Sequence, residues 1–368
     1  MPSTVYFADL RATIRRNIID KIGELLDRVD LPRRITPEGA VAIKLHFGER
    51  GNTAYVRPIF LRKIVDRIHS LGGKPFLTDT NTLYGGSRAD AVSHLITAVE
   101  NGFDYAVVRA PLIIADGLRG NASVQVPIDG NIYRHVSIAH EIYFADSLIA
   151  VTHFKGHELT GFGGAIKNLG MGCASRRGKL SQHSTVAPKV KRKGCTGCGT
   201  CVQWCPAGAI ELREEKAVII PERCIGCGEC SVVCPEKTIT IKFNEVAPEF
   251  QRKMVEYAMG AVKNKGDRVV YLSFVTQVSP YCDCYGHSDT PIVGDVGILA
   301  SDDLVAIDQA AVDLVNQQPG NPYSSYTATL GAGQDKFRAV HKQIDYDVQL
   351  AYAMELGLGD RSYELELI

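Results

Sequence analysis

The sequence predicts an α/β domain with a mainly parallel sheet, interrupted by an inserted, smaller α+β module rich in cysteine. Three observations predict it. Apolar strand-like runs alternate with helical periodicities through residues 1–187. The alternation resumes over residues 244–368. Between them, residues 188–243 hold eight of the chain's eleven cysteines. The simplest organisation is one α/β domain in two parts, 1–187 and 244–368, with the module set into a loop whose ends lie close together. Two α/β domains in series are the alternative, but the C-terminal piece looks too short to build a sheet and core alone.

The elements follow in order. Residues 11–29 place Ile14, Ile18, Ile22, Leu25, Leu26 and Val29 on one helical face. Ala40–His46 is an apolar strand. Pro58–Leu71 is a helix stopped by Gly72-Gly73. Pro75–Thr78 is a strand, and Arg88–Asn101 a helix ending at Gly102. Tyr105–Val108 and Ser147–Thr152 are further strands. Beyond the module, Pro248–Asn264 is a helix, Arg268–Phe274 a strand and Asp302–Asn316 a helix. The basic run Lys189, Lys191, Arg192, Lys193 enters the module, and Phe243–Pro248 leaves it. The run is either a docking patch for an acidic electron partner or a solvated linker.

The module carries one motif twice: Cys195-x2-Cys198-x2-Cys201-x3-Cys205-Pro206 and Cys224-x2-Cys227-x2-Cys230-x3-Cys234-Pro235. This is the bacterial two-cluster ferredoxin spacing. In it the first three cysteines of a run bind one [4Fe–4S] cluster and the fourth crosses to the other. The expected ligand sets are Cys195, Cys198, Cys201 and Cys234 for one cluster, and Cys224, Cys227, Cys230 and Cys205 for the second. A cubane needs four thiolates at tetrahedral corners, and two-residue spacers in a tight loop aim three of them at one centre. Gly197, Gly199, Gly226 and Gly228 give those loops a permissive backbone. Ala209–Leu212 and Thr238–Ile241 alternate as short strands after each proline. Disulfides would need an oxidising compartment, and zinc does not call for two matched four-cysteine runs each closed by proline.

Composition narrows the partners. The 368 residues exceed a small cluster carrier and suit two or three domains. The formal net charge is zero, so no global basic field argues for nucleic acid. No apolar run reaches about 18 residues, so no membrane span is expected. Met1–Phe7 lacks a secretory signal pattern. Cluster ligation without export points to a reducing cytoplasm and suits an anaerobe.

A second constellation lies at the predicted strand ends. One strand runs into Lys44, His46 and Glu49, the next into Asp79 and Asn81, and another into His153, Lys155 and His157. Ligands of open α/β sheets bind outside the carboxyl ends of the strands. Lys44, His46, Asp79, His153, His157 and Lys167 are therefore the catalytic candidates, although each alone is explained by a surface or capping role. Gly161-Phe162-Gly163-Gly164 leads through Lys167 to Asn168. It is no Walker loop, but its backbone N–H groups could meet an anionic cofactor. Gly161, Gly163, Gly164 and Asn168 are the cofactor-binding candidates, and the bland reading is a close-packed turn. His46, Asp79, His153 and Lys167 are expected to line one cavity of positive character, suited to a small anionic ligand. Cys173, Cys282 and Cys284 lie outside the module. They form either a third metal or cluster site, with a histidine or exogenous fourth ligand, or a set of redox-active or buried thiols.

Val41–Pro58, Leu77–Leu95, His153–Gly172 and Gly294–Val312 resemble the DUF362 family of uncharacterised iron–sulfur centre proteins. The resemblance spans both sides of the cysteine module. It implies a DUF362 α/β domain joined to a two-cluster ferredoxin and suggests electron transfer, but supplies no substrate. Three functions remain. The chain is an electron-transfer protein passing single electrons through two clusters, between a soluble redox partner protein and a redox site in the α/β domain. Or it is an oxidoreductase acting in that pocket. Or it is a non-redox enzyme, metal- or lysine-dependent, with structural or regulatory clusters. No complete flavin, nicotinamide or nucleotide motif is present, and no oligomeric state follows from the sequence.

Overall fold

A computed structural model of the chain describes residues 2–184, 187–242 and 245–368. Its centre is an eight-stranded sheet. The strands are β1 (Ser3–Asp9), β2 (Ala40–Lys44), β3 (Lys74–Asp79), β4 (Leu112–Ile114), β7 (Ser147–His153), β14 (Val269–Val275), β15 (Gly297–Ser301) and β16 (Tyr363–Leu367), in the spatial order β16-β1-β15-β14-β7-β2-β3-β4. Seven run the same way, and β15 alone is antiparallel to both of its neighbours. The sheet is therefore mainly parallel, and it draws strands from both sides of residues 188–243.

Both faces of the central strands are apolar, as a buried parallel sheet requires. Val41, Ile43, Ile149, Val151, Val270 and Leu272 point to one side. There they meet Ile22, Leu25 and Leu26 of the helix Ile18–Arg28 and Leu61, Ile64, Val65 and Ile68 of the helix Pro58–Ser70. Ala42, Leu148, Ala150, Val269 and Tyr271 point to the other, against Phe250, Met254 and Ala258 of the helix Ala247–Val262 and the helices Ala165–Gly170 and Leu304–Gln317. The result is three layers, with helices on both faces of the sheet.

Two of the expected elements depart furthest from what is observed. The first helix begins at Ile18, and Ile14 lies outside it, fully exposed. The cause is a reciprocal cap. The Asn17 side chain accepts from the Asp20 N–H at 3.1 Å, and the Asp20 carboxylate accepts from the Asn17 N–H at 2.9 Å. Tyr105–Val108 is a helical turn rather than a strand. Asp104 caps it through the Val107 N–H at 3.1 Å, and the edge strand follows at Leu112–Ile114.

Four pairs of strands lie outside the main sheet: β5 (Ser123–Pro127) with β6 (His135–Ala139), β8 (Lys155–His157) with β9 (Gly161–Gly163), β10 (Lys189–Val190) with β13 (Ile239–Thr240), and β11 (Ile210–Arg213) with β12 (Lys216–Ile219). The β10–β13 pair sets Val190 opposite Ile239, so the two ends of the cysteine-rich segment meet. Phe243 and Asn244, at the expected exit from that segment, lie outside the described residues. Among the described residues, no helix is long and apolar enough to cross a membrane.

Candidate functional site

A cavity of about 480 Å³ opens at the carboxyl ends of β2, β3 and β7. Lys44, Asp79 and His153 are the last residues of those strands, and in-register parallel pairing brings their ends together. All six catalytic candidates, Lys44, His46, Asp79, His153, His157 and Lys167, line this one space. So do Gly163, Gly164 and Asn168, while Gly161 does not. Leu83, Leu159, Met171 and Phe250 add an apolar wall.

The floor is a network of buried ion pairs. Lys44, 1% exposed, places Nζ 3.0 Å from Asp79 Oδ1, 2.9 Å from Asn168 Oδ1 and 2.8 Å from the Leu45 carbonyl. Asn168 also donates to the Val151 carbonyl at 3.1 Å, so it fixes the Lys44 ammonium against the sheet. Burial pushes the Asp79 carboxyl up, but its cationic neighbours, Lys44 first and Arg88 with it, outweigh burial and hold the group below the ordinary carboxylate range. Arg88 extends the network. Its guanidinium reaches Glu49 at 3.2 Å, Asp79 at 3.5 Å and the Tyr84 hydroxyl at 2.8 Å. Burial opposes its charge, yet Tyr84, Cys284, Asp79 and Glu49 together hold it protonated. Sequence reading assigned Arg88 to a helix. Asp90 caps that helix through the Ser93 N–H, which leaves Arg88 in the loop and free to turn inward.

On the opposite wall, the connection 276–296 between β14 and β15 brings in Cys282, Asp283 and Cys284. Asp283 is fully buried, 2.9 Å from His153 Nδ1 and 2.9 Å from Lys155 Nζ. Burial pushes its carboxyl up, but His153 and Lys155 draw it below the ordinary range. The Cys282 and Cys284 sulfurs lie 2.8 Å apart. Lys167 Nζ is 3.1 Å from Cys282 Sγ, and His46 Nε2 is 3.6 Å from Cys284 Sγ. The Gly48 N–H donates to His46 Nδ1 at 2.9 Å, which leaves Nε2 to carry the proton of a neutral ring.

The cavity is less positive than its composition suggests. Lys44, Arg88, Lys155 and Lys167 each already face a carboxylate or a thiol. Burial first, and Lys167 second, push His157 and His183 well below their ordinary values, so both are neutral. Lys179 reaches the Thr80 hydroxyl and the Asn81 carbonyl, and burial lowers its ammonium to about 8. The glycine turn is also committed internally. Asp308 accepts the Ala165 and Ile166 N–H groups at 2.6 and 2.9 Å, the donors an anion at this helix start would use. A Cβ on Gly164 would stand 2.2 Å from Asp308 Oδ1, so the close approach of that carboxylate explains the glycine.

Cys173 does not join Cys282 and Cys284 at the cavity. It is fully buried in the apolar layer with Leu169, Ala174 and Met254. It follows the helix Ala165–Gly170, and its N–H returns to the Leu169 carbonyl at 2.9 Å, which turns it into the core. Among the described residues, no three His, Cys, Asp or Glu side chains are grouped to hold a single metal ion.

The remaining eight cysteines surround two small voids in the segment 188–242. One void is lined by Cys195, Cys198, Cys201 and Cys234, the other by Cys205, Cys224, Cys227 and Cys230. Cys201 lies within the helical turn Thr200–Gln203 and Cys205 two residues past its end, so the first run of cysteines reaches both voids. Gly197, Gly199, Gly226 and Gly228 all have positive φ, between 69° and 76°. The Ala217 N–H points at Cys195 Sγ at 3.4 Å and the Ala209 N–H at Cys205 Sγ at 3.2 Å.

The loop around the second void packs on the α/β layer. Glu229, between Cys227 and Cys230, is 3% exposed and lies 3.4 Å from Arg176 of the α/β layer. A Cβ on Gly228 would meet Leu83, a cavity residue, at 3.2 Å. Neither contact was legible in the sequence, because a Glu between two cysteines and an Arg at a helix start carry no mark of their pairing. Lys189 and Arg192 of the basic entry run line a separate cleft of about 1010 Å³ with Tyr133, His135 and Tyr257.

Residues 41–313 match the family model described as "Domain of unknown function (DUF362)". No curated protein matches the sequence. Among solved structures, the lactate racemase apoprotein from Thermoanaerobacterium thermosaccharolyticum is similar at 14% identity and a TM-score of 0.38, over 74% of this chain and 51% of that one. A Thermotoga maritima protein solved as a structural-genomics target is similar at 10% identity and a TM-score of 0.41, over 82% and 58%. The chain thus spans little more than half the length of either.

Proposed function

The chain belongs to the DUF362 family, and from that premise we propose that it is an iron–sulfur electron-transfer protein. In this reading residues 188–243 are an inserted two-cluster ferredoxin module, which passes single electrons to or from a redox site in the α/β cavity. The observation that carries the proposal is the grouping of eight thiols around two voids, four to each, with Cys205 and Cys234 exchanged between the sequence runs. Four sulfurs around a cubane stand farther apart than four around one ion, so thiols lining a void fit a cluster better than a single metal. [4Fe–4S] clusters supply one-electron chemistry, with potentials tuned by hydrogen bonds to sulfur and by exposure. The protein's own part is to shape and connect the sites. The positive-φ glycines hold each loop around its void, and backbone N–H groups meet Cys195 and Cys205. The buried Arg176–Glu229 pair fixes the second loop on the α/β layer, and Leu83 separates that loop from the cavity.

The cavity, apolar on one wall and lined by ion pairs on its floor, suits a small molecule as the redox partner within the chain. A soluble redox protein would exchange electrons with the module from outside, in a cytoplasmic setting. Lys179, with its ammonium near 8 beside the cavity, favours a second, lysine-dependent non-redox reading. Anaerobic analysis of the purified protein separates them. The electron-transfer reading expects about eight irons and as many acid-labile sulfides per chain, bleached by dithionite. Zinc without sulfide would overturn it. Clusters that no reductant reaches would favour the second reading.

A further inference from the structure

Resting on the electron-transfer reading, we propose that Cys282 and Cys284 form a redox-active pair, cycling between a dithiol and an intrachain disulfide beside the cavity. The two sulfurs lie 2.8 Å apart on one tight turn, closed by the Tyr285 N–H donating to the Cys282 carbonyl at 3.2 Å. That turn is held from several sides. Asp283 is pinned by His153 and Lys155, its carbonyl accepts the Glu49 N–H at 3.1 Å, and the Cys284 carbonyl accepts the Tyr84 hydroxyl at 3.1 Å. The backbone is therefore fixed while the sulfurs face each other.

The surroundings suit a thiolate. Lys167 brings a cation to Cys282 Sγ, and His46 brings a ring nitrogen to Cys284 Sγ. The S–H of Cys282 points at Cys284. That bond first, and then Lys167 and His46, draw the Cys284 thiol well below its ordinary value against the push of burial. Cys282 is pushed up by the same bond and by its burial. Cys284 is the more exposed of the two, and both line the cavity. Cys173 has no such setting, being buried in the core.

The reaction balances with what the proposed clusters supply. Reduction breaks the S–S bond with two electrons and one proton, giving Cys282 as thiol and Cys284 as thiolate. The two clusters that Cys195, Cys198, Cys201 and Cys234, and Cys205, Cys224, Cys227 and Cys230 would hold could supply these electrons one at a time. Oxidation reverses this: the S–S bond forms, two electrons leave singly to the clusters, and the proton shared by the sulfurs departs into the cavity. A two-electron pair fed by two one-electron carriers would convert single-electron delivery into the two-electron chemistry of a small molecule in the cavity.

The test uses the full-length protein with its clusters, handled anaerobically. One sample is oxidised with diamide and another reduced with dithionite. Both are denatured in N-ethylmaleimide and digested, and the peptide holding Cys282 and Cys284 is weighed. The oxidised sample is expected to give a peptide lacking two hydrogens and carrying no maleimide, and the reduced sample one carrying two. Both thiols labelled after diamide, or a disulfide to any other cysteine, would overturn the pair. In a second arm, diamide-oxidised protein freed of excess reagent receives two electron equivalents, and spin resonance follows the clusters. Cluster signals should decay as the two thiols appear. Persistent signals beside an intact disulfide would overturn the relay and leave the electron-transfer reading standing. A protein that forms no iron–sulfur cluster would remove that reading, and the relay with it, even if diamide still closed the disulfide.

Discussion

Replacing Cys205 by Ala should cost the protein one cluster and spare the other. Cys205 lies in the first sequence run, yet it lines the void of Cys224, Cys227 and Cys230. The void of Cys195, Cys198 and Cys201 is completed by Cys234 from the second run. The Cys205→Ala variant should therefore keep a [4Fe–4S] signal ligated through Cys195 and lose, or convert to a three-iron form, the one ligated through Cys224. Spin resonance of the reduced variant, with iron and sulfide counts, decides it. Iron should fall by roughly half if the damaged cluster is lost, and by less if a three-iron form survives. Selective loss of the Cys195 cluster would mean that each run ligates its own cluster.

Arg88→Met should destabilise the α/β domain by about 3–5 kcal/mol at neutral pH, the usual cost of removing one partner from a buried ion pair. Arg88 is 2% exposed and holds Glu49, Asp79 and the Tyr84 hydroxyl together. Asp79 keeps Lys44 in the variant, so the loss falls mainly on Glu49. The sign of the pH dependence follows. Burial pushes Glu49 up, but Arg88 and the Ser87 and Arg50 donors hold it below its ordinary value of 4.5. In the parent its stabilisation is present above that value and is lost as pH falls through the lower folded value. Without Arg88, burial dominates and the folded value moves above 4.5, so stability is lost as pH rises instead. The deficit should be largest near pH 7 and narrow toward pH 4. Denaturant unfolding of both proteins across that range measures it, and a pH-independent deficit would mean that Glu49 is not the residue left unpaired.

Much of this was legible in the sequence where a local pattern carries the information. The parallel sheet core announces itself because Val41–Ile43, Ser147–Val151 and Val269–Leu272 are apolar on both faces. The strand-end residues Lys44, Asp79 and His153 could be placed together because strands of one direction share an end. The edges were not legible. β1 buries only Val5 and Ala8, a spacing that is no strand alternation. Tyr105–Val108 has the composition of a strand but the cap of a helix. At the site, residue types were readable and pairings were not. Arg88, Asp283 and Asp308 act on groups 4 to 143 positions away, as in Arg88–Tyr84 and Asp308–Ala165. The expected positive cavity failed for that reason: its cations are met by carboxylates and thiols brought from elsewhere in the chain, and burial keeps His157 and His183 neutral.

In the proposed function, two [4Fe–4S] clusters lie side by side in this chain and carry electrons to the cavity. The most direct test is spin resonance of the anaerobic, dithionite-titrated wild-type protein. Cys201, within the helical turn Thr200–Gln203, and Cys205, two residues past its end, serve different voids. The two reduced clusters should be close enough for their spins to couple, giving a broadened composite spectrum that grows in as the second cluster is reduced. Two simple, non-interacting signals, one cluster only, or no iron–sulfur signal at all would contradict it.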